Sequence, residues 1–330
     1  MIQLPETAVL EITARCNHRC FFCSCPWEKN SFVIKEELDF RTWCKILDFL
    51  QRNGVKHVTF TGGEVTMRKD LFDLLDYAFE KKISFGVISN GLCIDDIFLE
   101  RYSYYHKTLS ISVPGIKTFA FHTGIDNIEN VLKIFDKCCE LNIPSVANIV
   151  VTKKNISELY ENIAYPILHG ANYILLNRFL PGGRGEMNTE YLLSKEEINT
   201  MLDVAEDVLS KAGISGHVGT ELPLCVIKNP GNYHYLHVST KCGAAKKFMA
   251  ISPDGYVRAC NHSPEKLCKW NEIETLKTNV TWNRYVKSEF IPQMCSACEN
   301  LGECDGGCRE AARVCFGDIG SKDPCFYFYE

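Results

Sequence analysis

The sequence contains no run of about 18 or more apolar residues and no cationic start followed by an apolar stretch, so neither a membrane-spanning helix nor a secretory signal is expected. It also lacks an excess of basic charge. Lys and Arg number 36 against 41 Asp and Glu, a formal net charge of −5, and nothing in that balance points to nucleic acid. Signs of disorder are missing too: with 46% hydrophobic residues, 330 residues can bury one large core, or a core and a smaller module. A cytoplasmic protein is expected.

What the chain has in quantity is cysteine, 18 in all. In a small secreted domain that number would suggest disulfides, but this chain is long and groups its cysteines in C-x2-C and C-x3-C spacings, which favours metal. The first group, Cys16, Cys20 and Cys23 in CNHRCFFC, follows a short apolar-alternating run, Ala8 to Thr13. Three thiolates on one loop can hold three corners of a cubic iron–sulfur cluster and leave its fourth iron open to a small ligand. Zinc, the usual occupant of an isolated C-x2-C, would need a fourth ligand, for which the nearby residues are Cys25 and His18.

Strand-like and helix-like segments then alternate. Helical spacing is predicted over 35–52, 70–82, 94–102, 126–141, 156–168 and 194–212. Strands are predicted over 55–60, 83–89, 109–113, 146–151 and 173–179. The pattern argues for an α/β fold, most simply a partial (β/α)6 TIM-like barrel, with an open doubly wound sheet as the alternative. In a barrel the C-terminal strand ends share one rim. The cysteine loop, Gly62-Gly63-Glu64, Ser89-Asn90, Ser110 and Ser112 all fall there. The two glycines would let backbone approach a ligand, and Glu64 could hold an ammonium; the competing reading is an ordinary turn with a helix-start acid. The Gly-rich stretch 181–193 could cradle an anion or form a flexible rim loop, with Arg184 gripping an acidic group or capping a helix.

The character changes near residue 216. Cys242 and Cys260 flank a hairpin with strands at 248–251 and 256–259 around Pro253-Asp254-Gly255. A linking helix is predicted over 271–287, and then come Cys295, Cys298, Cys304, Cys308 and Cys325. The bare pattern says cluster-binding module or zinc ribbon. Cys44, Cys93, Cys138, Cys139, Cys268 and Cys315 are expected to be small buried apolar residues, as free cysteine commonly is. Cys25, two residues beyond the loop, is the exception to watch.

CNHRCFFC, with Phe22 before its third cysteine, and TGGE at 61–64 together resemble the radical S-adenosylmethionine (SAM) enzymes. The resemblance implies that Cys16, Cys20 and Cys23 bind a 4Fe-4S cluster whose open iron chelates the amino and carboxylate groups of SAM. Reduction then yields a 5′-deoxyadenosyl radical that takes hydrogen from substrate. It also implies that Phe22 packs near the adenine, that Gly62, Gly63 and Glu64 receive the ammonium, and that Ser112, with Ser89 and Asn90 beside it, meets the carboxylate or ribose. Where several members carry an arginine for the carboxylate, this chain reads Phe121-His122-Thr123-Gly124, so Arg178 or neutral donors would serve, with a barrel-rim salt bridge as the competing reading of Arg178. The stretch 242–325 resembles the SPASM domain, which holds two auxiliary 4Fe-4S clusters. Carried over by position, Cys225, Cys242, Cys260 and Cys308 would hold one and Cys295, Cys298, Cys304 and Cys325 the other, three clusters in all. The implied domains are 1–215 and 216–330.

SPASM enzymes mostly modify peptides, so the leading expectation is a maturase that installs a carbon–carbon or thioether cross-link, or a related oxidation, in a ribosomally made precursor peptide. Sulfatase-type maturases place an Asp base directly after the second hairpin cysteine, but here stands Asn261, a neutral amide, which demotes formylglycine formation. Modification of a small molecule such as a tetrapyrrole or sugar, and an iron–sulfur redox sensor without turnover, are the alternatives. With few residues before the first strand, leader recognition is expected from a separate partner or the SPASM surface. A flavodoxin or ferredoxin is the implied electron donor.

Overall fold

A computed structural model describes residues 2–28, 34 and 36–326. The alternation is present: β1 (Thr7–Glu11), α1 (Phe40–Arg52), β2 (His57–Thr61), α2 (Leu71–Glu80), β3 (Ser84–Ser89), α3 (Asp96–Ser103), β4 (Thr108–Ser112), α4 (Phe119–Thr123), α5 (Ile128–Glu140), β5 (Ser145–Val151), α6 (Leu159–Leu168), β6 (Tyr173–Arg178) and α7 (Lys195–Ala212). α1 begins later than its apolar spacing suggests, and residue 35 lies outside the described residues. Asp39 sets the start, because its carboxylate accepts the Thr42 N–H at 2.8 Å and satisfies a donor the helix leaves unpaired.

The sheet is larger than six strands. β7 (Gly216–Val218) and β8 (Leu236–Val238) extend it beyond β6, and β9 (Phe248–Ile251) joins the other side, next to β1. β10 (Tyr256–Arg258) and β11 (Cys268–Lys269) complete the order β11-β10-β9-β1-β2-β3-β4-β5-β6-β7-β8. From β9 through to β8 each pairing is parallel; the two at the β11 end are antiparallel. The sheet therefore runs across residue 215, where the composition shifts. β9 pairs with β1 over Thr7↔Phe248 to Leu10↔Ile251, so the C-terminal hairpin lies beside the strand that leads into the cysteine loop.

The sheet curls, which decides between barrel and open sheet. In a flat sheet β1 and β6 would lie about 24 Å apart. Here Glu11 of β1, Ser112 of β4 and Leu175 of β6 line a single cavity. Alternation along the strands makes this possible: Ala147, Ile149, Ile174 and Leu176 belong to the hydrophobic core, while Asn148, Val150, Leu175 and Asn177 face the cavity. The partial barrel is the architecture observed.

The helix predicted over 271–287 is broken into a 3-10 segment, Trp270–Lys277, and α8 (Val280–Val286), where the Asn279 side chain caps the second piece by accepting the Trp282 N–H at 2.9 Å. α9 (Arg309–Phe316) follows Cys308. Two buried ion pairs tie these C-terminal elements to the barrel. Arg258 of β10 bonds Glu11 of β1 and also donates to the Asn261 and Ser263 carbonyls. Arg178, at the end of β6, grips Asp323 through both terminal nitrogens. Burial raises the Asp323 carboxyl's affinity for a proton, but the Arg178 charge and hydrogen bonds win and hold it below its ordinary value. Asp323→Ala, which strands the Arg178 charge in the interior, should lower the unfolding free energy by about 3–5 kcal/mol in a urea titration. A loss under about 1 kcal/mol, the size expected of a surface pair, would show that this pair does not hold the C-terminal loops.

Candidate functional site

The cysteine loop is held in place by its neighbours' backbones. After β2, the N–H groups of Gly63 and Glu64 donate to the Thr13 and Arg15 carbonyls at 2.7 and 2.8 Å. A Cβ on Gly62 would overlap the Thr13 carbonyl oxygen, and one on Gly63 that of Arg15. The two glycines thus serve the approach of one loop to another as well as lining the cavity at the strand ends. Glu64 is also more committed than expected. Its buried carboxylate accepts from Ser89 Oγ (2.7 Å), Asn90 N (2.7 Å), Thr66 N (3.1 Å) and Thr66 Oγ1 (2.8 Å), tying the β2 loop to the end of β3. Asn90 continues the chain of contacts by donating to Asn17 Oδ1 at 2.7 Å, next to Cys16.

The Gly-rich stretch after β6 is a clamp and not a loose rim loop. Gly185 N donates to the Cys23 carbonyl (3.1 Å), Arg184 Nη1 to that of Cys20 (3.0 Å) and Asn188 Nδ2 to that of Phe21 (2.9 Å). A Cβ on Gly183 would overlap the Cys25 carbonyl oxygen. Cys25 itself turns toward the β2 loop, its Sγ donating to the Gly62 carbonyl at 3.6 Å.

At the C-terminal ends of the strands opens a cavity of about 410 Å³. Cys16, Cys20, Phe22 and Cys23 line one side, with Gly62, Gly63, Glu64, Ser89, Asn90 and Ser112 beside them. Cys242, Cys260 and Cys308 line the other. Burial pushes the Cys20, Cys242 and Cys260 thiols well above their ordinary value and Cys308 up to about 12, with the Glu221 and neighbouring thiol charges adding to the rise. Thiolates in this space therefore call for a positive partner, as a metal cluster supplies. Backbone N–H groups already point at sulfur: His18 N at Cys16 Sγ and His262 N at Cys260 Sγ, each 3.4 Å. Such bonds suit cluster thiolates. Among the described residues no three His, Cys, Asp or Glu side chains converge closely enough to hold a single metal ion.

Two sequence-based placements change. Arg178 borders the cavity, but both terminal nitrogens are taken by Asp323 and the Glu221 carbonyl and its charge is paired, which leaves only the buried Nε without a partner. Cys225 is not brought to Cys242, Cys260 and Cys308; it lines a separate small pocket of about 20 Å³ with Cys295, Cys298 and Cys304. Cys325 is buried, and its N–H is bonded to Asp323 at 3.0 Å. Of the other cysteines, Cys44, Cys138 and Cys268 are buried as expected, whereas Cys93 and Cys139 are exposed. Sequence reasoning missed Glu221, His262 and Glu310 on the cavity wall and Asn148 and Asn177 on the strands. The two asparagines carried a signal, a polar residue at every second strand position; Glu221 follows a three-residue strand that had none.

Residues 10–164 match the family described as the Radical SAM superfamily. Two curated relatives are named PqqA peptide cyclase. That of Granulibacter bethesdensis is 26% identical over 338 residues, covering 98% of this chain and 87% of the relative. That of Gluconobacter oxydans is 25% identical, covering 97% and 90%. Among solved structures, Streptococcus suis SuiB bound to its precursor peptide SuiA superposes with a TM-score of 0.74 at 16% identity, over 97% of this chain and 75% of that one. Native anSMEcpe with bound AdoMet gives 0.71 at 16% identity, over 96% and 92%. At such identities the two structures speak for the fold. No described helix is long and apolar enough to cross a membrane.

The loop-on-loop contact gives a direct expectation. Gly63→Ala sets a methyl against backbone that no rotamer change can relieve, and should cost about 1–3 kcal/mol of stability by chemical denaturation. Gly231→Ala, with nothing within 4 Å of its Cβ, should stay within about 0.5 kcal/mol of the parent.

Proposed function

We propose that this chain, which carries a radical SAM domain, is an enzyme that modifies a ribosomally made peptide by hydrogen-atom abstraction at an unactivated carbon. The observation that carries the proposal is the shared cavity, with the three-cysteine loop on one wall and Cys242, Cys260 and Cys308 on the other. The peptide cyclase names of the relatives and the peptide in the SuiB–SuiA structure support the substrate class.

In this reading Cys16, Cys20 and Cys23 would hold a 4Fe-4S cluster, and three thiolates would leave it a place for the amino and carboxylate groups of SAM. Cluster and SAM together supply a 5′-deoxyadenosyl radical. Phe22 packs by the adenine, the Gly62 to Glu64 strip receives the ammonium through its backbone, and Ser112 with Ser89 and Asn90 meets the carboxylate or ribose. The Glu64 carboxylate acts by fixing Ser89 and Asn90 in position. With Arg178 held by Asp323, the SAM carboxylate is left to neutral donors.

Two auxiliary 4Fe-4S clusters complete a set of three, and residues 216–330 form the SPASM domain that holds them. Cys242, Cys260 and Cys308, which line the cavity, would hold one, and three thiolates would leave it a place for a substrate group. Cys295, Cys298 and Cys304 belong to the other. Such clusters would supply a site to accept or relay the electron left after bond formation. A flavodoxin or ferredoxin as donor, a separate leader-binding protein and a cytoplasmic setting complete the proposal. Formylglycine chemistry stays demoted: Asn261 lines the cavity as a neutral amide that accepts from Cys260 Sγ at 3.7 Å.

Co-expression with the short peptides encoded beside the gene, followed by mass spectrometry, tests the reading. A peptide lighter by two hydrogen atoms, with fragments absent across the linked stretch, is the expected product. Unchanged peptides, together with SAM-dependent modification of a small molecule, would overturn it. Asn261→Ala should keep measurable activity; complete loss with all clusters intact would make Asn261 essential against this account.

A further inference from the structure

The chain carries one more cysteine near its C-terminal cluster loop than a four-thiolate site needs, and the geometry sorts the candidates. Cys225 lies in the 3-10 turn Leu224–Val226, just past β7. Its pocket is lined by Cys295, Cys298 and Cys304; Phe326 reaches it too, but its neighbour Cys325 does not line it. The backbone on either side of this group already serves its sulfur. Leu224 N, the N–H next to Cys225, points at Cys304 Sγ at 3.4 Å, and Gly306 N reaches the same sulfur at 3.3 Å. N–H bonds to sulfur are among the contacts that tune iron–sulfur clusters.

We infer that Cys225, and not Cys325, is the fourth ligand of the cluster held by Cys295, Cys298 and Cys304. The inference rests on the three-cluster reading above and assigns the ligand that reading leaves open. Cys325 is bound into the Asp323 network, which accepts its backbone N–H at 3.0 Å.

The barrel side holds Cys225 rigidly, as a ligand requires. Val226 and Ile227 are buried beside it. Asn199 of α7 grips the turn from both ends of its amide: Nδ2 donates to the Val226 carbonyl at 2.9 Å, and Oδ1 accepts the Lys228 N–H at 2.8 Å. The cluster would thus be bolted to the barrel through one ligand and to the C-terminal loop through three. The ring of Cys242, Cys260 and Cys308 keeps three cysteines, consistent with its open position toward the cavity.

The test is iron and sulfide analysis with Mössbauer and EPR spectroscopy on anaerobically reconstituted full-length protein. Wild type should take up about twelve irons, the total for three 4Fe-4S clusters; a markedly lower count defeats the three-cluster reading before any variant is compared. With that count met, Cys225→Ala should lose about four irons and Cys325→Ala none. Cys225→Ser should keep a cluster with a changed EPR signal, the mark of oxygen replacing sulfur on iron. Full iron content in Cys225→Ala, or the loss of one cluster in Cys325→Ala, overturns the inference. An unchanged EPR signal in Cys225→Ser does so as well, and this readout does not depend on the alanine variant folding.

Discussion

The buried pair between Arg178 and Asp323 is the contact on which the arrangement of cysteines depends. Asp323 accepts both terminal nitrogens of Arg178 and, with the same carboxylate, the N–H groups of Cys308 at 2.7 Å and Cys325 at 3.0 Å. One side chain therefore fixes the last long barrel strand and two cysteine-bearing loops together. Gly307 is part of the fit, since a Cβ there would overlap the carboxylate and its φ of +92° suits glycine. Moving such charges out of water is expensive, and what a saturated buried pair offers in return is fixed geometry. Fixed geometry is what two groups of thiols facing one cavity need.

The β1–β9 pairing is the second half of that geometry. By adding the C-terminal hairpin in parallel to β1, it sets Cys242 and Cys260 beside the loop that carries Cys16, Cys20 and Cys23. The Glu11–Arg258 pair locks the same seam from within. The cavity wall then holds thiols that burial keeps protonated, and a metal cluster bound there would release those protons, so its loading would be coupled to pH.

Local spacing made much of this legible. The loop CNHRCFFC, the repeating strand and helix segments and the hairpin around Gly255 each depend on residues close in sequence, and apart from the late start of α1 each lies within a few residues of where its spacing places it. What stayed hidden depends on partners far along the chain. Whether Arg178 was a free rim cation or half of a salt bridge stayed open because its partner, Asp323, lies 145 residues away. The second role of Gly62 and Gly63 stayed hidden because nothing local shows that the Thr13 and Arg15 carbonyls press against them. β7 and β8, three residues each, are too short for a period to register, and Cys225 lies between them in a place that spacing alone could not assign.

The measurement that bears most directly on the central claim is the formation of 5′-deoxyadenosine by the reduced, reconstituted protein supplied with SAM. The account predicts its release by the wild type and its disappearance when Cys16, Cys20 and Cys23 are replaced by Ala, with the auxiliary clusters still present. A fully loaded, reduced protein that leaves SAM intact would contradict it.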